Sequence, residues 1–166
     1  LMTAITCILA PLSIPLPFSP VPISLTNLVI FISVFILGMK DATISFLIYL
    51  LLGAVGLPVF ASFHAGLSVL AGPTGGYLIG FIFLALIQGF AMKYFDRKLI
   101  PTIIGMLIGM AVCYIFGTVW LAKLMSLSFK EGLFMGVIPY LPGDAVKIII
   151  AVIVGPKLYA ATKKVI

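Results

Sequence analysis

Apart from Asp144 and Lys147, the charged side chains of this chain fall between its apolar runs, not inside them. That spacing suits hydrocarbon, where a charge at mid-depth costs about 3 kcal/mol or more. The composition closes off the alternative. With 63% hydrophobic and 8% charged residues, a soluble domain of 166 residues has too little interior to hide its apolar side chains. The chain therefore reads as an all-α integral membrane protein, a single membrane domain over residues 1–166. No cleavable signal peptide is visible, and the chain opens at Leu1, so the first helix reads as truncated at its start.

Six helices are expected. Residues 1–14 give a short one. Five prolines (Pro11, Pro15, Pro17, Pro20 and Pro22) then stop any helix. The segment around them is apolar and uncharged, and irregular backbone at membrane depth needs a cover of protein or a cavity. A loop folded over the outer mouth of the bundle is expected over 15–22. Helices follow at 23–39, closing at Gly38, and at 42–57, with Lys40 and Asp41 at the turn between them. Residues 60–76 are apolar but punctuated by Gly66, Gly72, Pro73, Gly75 and Gly76, which reads as a second lid. Helices over 77–92, 100–122 and 136–160 complete the bundle. Small-residue pairs such as Gly76 and Gly80, or Gly105 and Gly109, read as close-packing sites between helices.

Charge orients the bundle. With both termini cytoplasmic, Lys40, Lys93, Arg97, Lys98, Lys157, Lys163 and Lys164 lie inside, and Lys123 and Lys130 lie outside. Both lids then fall on the outer side, as does the end of the last helix that carries Asp144 and Lys147. The net charge of +6 thus reflects membrane-flanking lysines, with no basic cluster suited to a nucleic acid.

Asp144 and Lys147, in PYLPGDAVKIIIAVIVG, are three residues apart and so share one helix face. Three readings stay open on the residues alone. Asp144 after Pro142 and Gly143 has the look of a helix cap. The two side chains also fit a structural ion pair, although such pairs stabilise folds weakly. Thirdly, they fit a ligand site, since buried charges in spans usually mark function. Lys147 in a first turn would oppose the helix dipole and needs an anion beside it. Phe18, Phe60, Phe63, Tyr77 and Tyr140 are candidate apolar walls of a small-molecule pocket. His64 stands alone, and Cys7 and Cys113 lie in separate apolar runs, so neither a metal centre nor a disulfide framework is expected. No cofactor is implied. An enzyme would need a nucleophile and base, a metal cluster or paired acids. A channel would need a ring of polar groups. The chain carries no Walker A pattern, so any ATP would be hydrolysed on other subunits.

Three segments carry a resemblance: IPLPFSPVPISL, GLPVFASFHAGLSVLAGPTGGYLIGF and PYLPGDAVK. Together they are similar to the BioY family, the biotin-specific S components of energy-coupling factor transporters. The resemblance covers nearly the whole chain. It implies a cell-membrane protein that captures biotin from outside, and partners comprising a transmembrane scaffold subunit and two cytoplasmic ATPases. It implies that Asp144 accepts from the ureido N–H groups and that Lys147 meets the ureido oxygen or, preferentially, the valerate carboxylate. Thr74, Gly75, Gly76 and Tyr77 match a central motif near the pocket. Phe60, Ser62 and Phe63 join Thr74 and Tyr77 as further candidate ligand contacts, although Ser62-Phe63-His64 departs from common family forms. Ala4 corresponds to the spaced alanines that dock on the scaffold. The competing reading is a stand-alone facilitator of biotin or another small molecule, working without ATPase partners.

Overall fold

A computed structural model describes residues 1–163; Lys164, expected on the inner side, lies outside the described residues. The chain folds into helix α1 (Met2–Leu9), a hairpin of β1 (Ser13–Leu16) and β2 (Ser19–Ser24), and helix α2 (Thr26–Ala54). A single 3₁₀ turn (Ala61–Phe63) leads to α3 (Leu67–Ala71), α4 (Gly75–Tyr94) and α5 (Leu99–Met125). Then come α6 (Phe129–Gly136), a second 3₁₀ turn (Ile138–Tyr140) and α7 (Leu141–Lys163).

The expected helices at 23–39 and 42–57 are the two arms of α2. They meet at Gly38, whose φ of 80° and ψ of −177° are not helical and suit a residue without Cβ. Lys40 and Asp41 lie in the second arm, one step past the break, and not in a separate turn. The chain reverses there, because Asn27 and Tyr49 line one cavity while Gly38 lines another at the opposite end. With its arms counted separately, α2 joins α1, α4, α5 and α7 in a bundle of six helices. Among the described residues, four helical segments are long and apolar enough to cross a membrane, α2 being one of them.

The proline-rich segment is not an irregular loop. β1 and β2 pair antiparallel with Ser13 opposite Ser24 and Ile14 opposite Ile23, and the register slips at Pro15. A two-stranded ribbon has an open edge on each side, where the missing N–H of proline costs no ladder bond, and a bulge tolerates one too. This is why density of proline stopped a helix here without preventing a strand. Smaller differences follow from local chemistry. α1 ends at Leu9, ahead of Pro11. The connection over 123–134 contains α6, opened by a capping box in which Ser128 and Glu131 satisfy each other's backbone N–H groups.

The core sits between α2, α4 and α5, around Phe31, Val34, Tyr49, Leu84 and Met106, all fully buried. α4 and α5 approach most closely at glycines. A Cβ at Gly76 would collide with Trp120, and one at Gly80 would meet the Cys113 backbone at 2.8 Å. The outward face of α5 is apolar instead of charged: Ile104, Leu107, Ile108, Ile115 and Val119 are each about half-exposed, as a lipid-facing surface requires. Cys7 and Cys113 are both free thiols.

Candidate functional site

A cavity of about 440 Å³ opens at the end of the bundle where the hairpin, the 60–74 segment and the start of α7 meet. The convergence expected from sequence is thus found in one place. Asp144 and Lys147 line it, together with Phe60, Ser62, Thr74, Tyr77 and Tyr140. Phe63 and Phe18 do not. They are 65% and 59% exposed and point away from the cavity. Phe63 is turned outward by a left-handed backbone at Ser62 and Phe63, with φ of 57° and 60°.

Asp144 is not a helix cap. α7 begins at Leu141, which puts Asp144 within the first turn. There the carboxylate suits the dipole, and it is only 7% exposed. Its Oδ1 pairs with Lys147 Nζ at 2.9 Å and accepts from Asn27 Nδ2 at 2.7 Å. Its Oδ2 accepts from the Tyr114 hydroxyl. Lys147 Nζ also donates to Ser24 O at 2.7 Å and to Asn27 Oδ1 at 3.0 Å.

The donor inventory is informative. An ammonium has three N–H groups, and a carboxylate has about four acceptor positions. Lys147 spends all three donors on Ser24, Asn27 and Asp144. It therefore has none left over for a ligand carboxylate in this arrangement. Asp144 keeps an acceptor position on Oδ2, and Asn27 keeps a second N–H. The cluster thus offers an acceptor beside a donor, held rigid by α2, α5 and α7.

Three residues of this cluster escaped the sequence reading. Asn27 carried a signal, as a lone amide within the apolar run LTNLVIF. Tyr114 and the Ser24 carbonyl carried none, because a tyrosine in an apolar helix is usually packing and a carbonyl has no sequence identity.

The lids are pinned at both sides. Ser62 N donates to Ser13 Oγ at 2.8 Å and to Pro11 O at 3.1 Å, tying the 60–63 turn to β1. The Tyr140 hydroxyl bonds Ser19 Oγ at 2.7 Å and the Val21 carbonyl, tying β2 to the entry of α7. Tyr77 donates to Gly136 O at 2.9 Å, and Trp120 Nε1 to Gly72 O at 2.9 Å. Tyr77 is thereby committed to the wall as well as lining the cavity. His64 Nδ1 lies 2.9 Å from Ala61 O within its own turn. At the far face of the bundle, Ala4 is exposed on α1 beside the exposed Ile8.

Fold and site together define a helical bundle of membrane-spanning type whose mostly apolar cavity carries one buried polar cluster. The sequence profile of the BioY family matches residues 1–164. The chain is 34% identical over 165 residues to a probable biotin transporter BioY of Pyrococcus horikoshii, covering 98% of this chain and 94% of that protein. It is 35% identical over 158 residues to the biotin transporter BioY of Thermotoga maritima, covering 95% and 91%. A crystal structure of the S-component for biotin from an ECF-type ABC transporter superposes with a TM-score of 0.87 at 32% identity, over 95% of this chain and 86% of that one. The chain belongs to the BioY family.

Proposed function

We propose that this chain is the biotin-capturing S component of an energy-coupling factor transporter, with Asp144 as its central ligand contact. The observation that carries the reading is the spare capacity of the buried cluster. A ureido ring presents N–H groups next to a carbonyl. It meets the free acceptor of Asp144 Oδ2 with one and the free Asn27 N–H with the other. Lys147 holds Asp144 Oδ1 directly and steadies Asn27 and the Ser24 carbonyl beside it, so its role is to position Asp144. Phe60, Tyr77 and Tyr140 flank the bicyclic body, and the valerate points to the lid, where Ser62 and Thr74 supply hydroxyls. Phe63 and Phe18 have no ligand role.

Binding by itself does not concentrate a solute. The energy comes from a transmembrane scaffold and two ATPase subunits, docked on the exposed face of α1 at Ala4, where a small side chain lets a partner helix approach. The basic end of the bundle faces the cytoplasm, in keeping with its excess of lysine and arginine. Both termini lie on that side. The test is uptake of labelled biotin by cells lacking other biotin carriers. Accumulation is expected only with scaffold and ATPases co-expressed, and a Walker-lysine substitution in the ATPases should abolish it. Uphill accumulation by the purified chain alone in liposomes would favour an autonomous carrier. For orientation, Arg97→Cys and Leu127→Cys, each in a background with Cys7 and Cys113 replaced, should be labelled from opposite sides of the membrane.

A further inference from the structure

At the end of the bundle opposite the Asp144 pocket lies a second cavity of about 470 Å³, within the size range of small-molecule sites. Three basic side chains from separate parts of the chain line it: Lys40 of α2, Lys93 near the end of α4, and Arg97 of the α4–α5 turn. Asp96 is the acidic residue in its wall, so three cations face one carboxylate.

Arg97 is held in place. Its Nη1 donates to Phe35 O at 2.6 Å, and its guanidinium stacks 3.7 Å above the Tyr159 ring. Left-handed backbone at Asp96 and Arg97, with φ of 50° and 57°, turns it back over the α2 break. Lys40 and Lys93 are exposed, and among the described residues neither has a salt-bridge partner. Positive charge that merely flanked the membrane would need no concavity and no fixed arginine.

The depth of the cavity is marked by its neighbours. Phe90, Tyr94 and Phe95 are all exposed; Phe90 stacks on Tyr94 at 5.7 Å between centroids, and Phe95 meets Tyr94 edge to face at 5.4 Å. An exposed tyrosine such as Tyr94 suits the headgroup boundary, where its ring and hydroxyl both find partners. The three rings interleave in sequence with Lys93, Asp96 and Arg97, so basic groups and exposed rings share this end of the bundle.

We infer that this cavity binds the phosphate headgroup of an anionic phospholipid, with Lys40, Lys93 and Arg97 as its cationic wall. Basic pockets between helices at a membrane face are suited to such headgroups. Each lysine near an anionic headgroup contributes about a fivefold factor in affinity. The site is independent of the ligand in the opposite pocket.

The test is native mass spectrometry of the full chain in detergent, offered equimolar phosphatidylglycerol and phosphatidylcholine. Wild-type protein should retain phosphatidylglycerol preferentially. The preference should fall about twentyfold in a Lys40→Gln, Lys93→Gln double variant, and persist when both become Arg. It should also persist in a Lys123→Gln, Lys130→Gln double variant, altered at the other end. Unchanged biotin affinity in the glutamine pair will show that it is folded. Equal retention of both lipids would overturn the inference. So would an equal loss in the Lys123, Lys130 variant, which would mean general charge attraction. Displacement of phosphatidylglycerol by millimolar inorganic phosphate would also overturn it, because the ligand would then be free phosphate.

Discussion

The two ends of this bundle use charge in opposite ways. At one end Asp144 and Lys147 are 7% and 8% exposed, and every N–H of the lysine is bonded. At the other, Lys40 and Lys93 stand in the open and bond to nothing described. Removing two ions from water costs several kcal/mol per ion, repaid only by excellent geometry, whereas exposed charges cost and contribute little. The buried end has therefore traded stability for a preorganised acceptor and donor. The exposed end keeps two of its three cavity-lining cations free of any partner among the described residues, with Arg97 alone fixed.

The sharpest way to break this contrast is to remove one partner at each end. Lys147→Ala strands a buried carboxylate and should destabilise the fold by about 3–5 kcal/mol. Lys93→Ala should stay within about 0.5 kcal/mol. Thermal unfolding in detergent reads both, and similar shifts would erase the distinction.

A second substitution tests how much of the buried end is network and not pair. Tyr114→Phe removes one hydrogen bond to a carboxylate, worth about 1.5–3 kcal/mol. It should weaken biotin binding by about tenfold or more while the Asp144–Lys147 pair persists. At the opposite end, Arg97→Ala removes a bond to Phe35 O and the stacking on Tyr159. A loss of about 1–2 kcal/mol in unfolding is expected, with biotin affinity unchanged.

Among the groups that are bonded, the smallest effect is expected at the lid. Ser13→Ala takes away one of the two acceptors of Ser62 N, leaving Pro11 O, and should cost about 0.5–1.5 kcal/mol. The signature is kinetic, not thermodynamic. Hydrogen exchange over 13–24 and 60–66 should quicken in the ligand-free protein and slow again with biotin bound. Exchange that ignores both the substitution and the ligand would make these segments fixed walls.

How much of each region could be read from the residues follows the same division. Helix number and the meeting of both lids with Asp144 were legible, because hydropathy and charge are one-dimensional signals. The strands of the hairpin were not. Five prolines announce what the backbone cannot be, and only the pairing of β1 with β2 shows that three of them, Pro15, Pro20 and Pro22, sit in strands. Lys147 was legible as a buried cation in need of an anion, but its three partners were not, since Ser24 and Asn27 lie more than a hundred residues away in sequence. Phe63 failed for a related reason: a left-handed backbone at Ser62 and Phe63 reverses a side chain without any mark in its residue type.

The central claim is that Asp144 is the ligand's acceptor, beyond holding the bundle together. The direct measurement is calorimetric titration of biotin into purified wild-type protein and Asp144→Asn, with the melting temperature of each ligand-free protein recorded alongside. The amide keeps the size and can still bond Asn27 and Lys147, but it loses the charge. Affinity should fall between about tenfold and more than a hundredfold in a variant that remains folded. A variant that melts early, yet binds biotin normally in its folded fraction, would contradict the account and leave the pair a structural one.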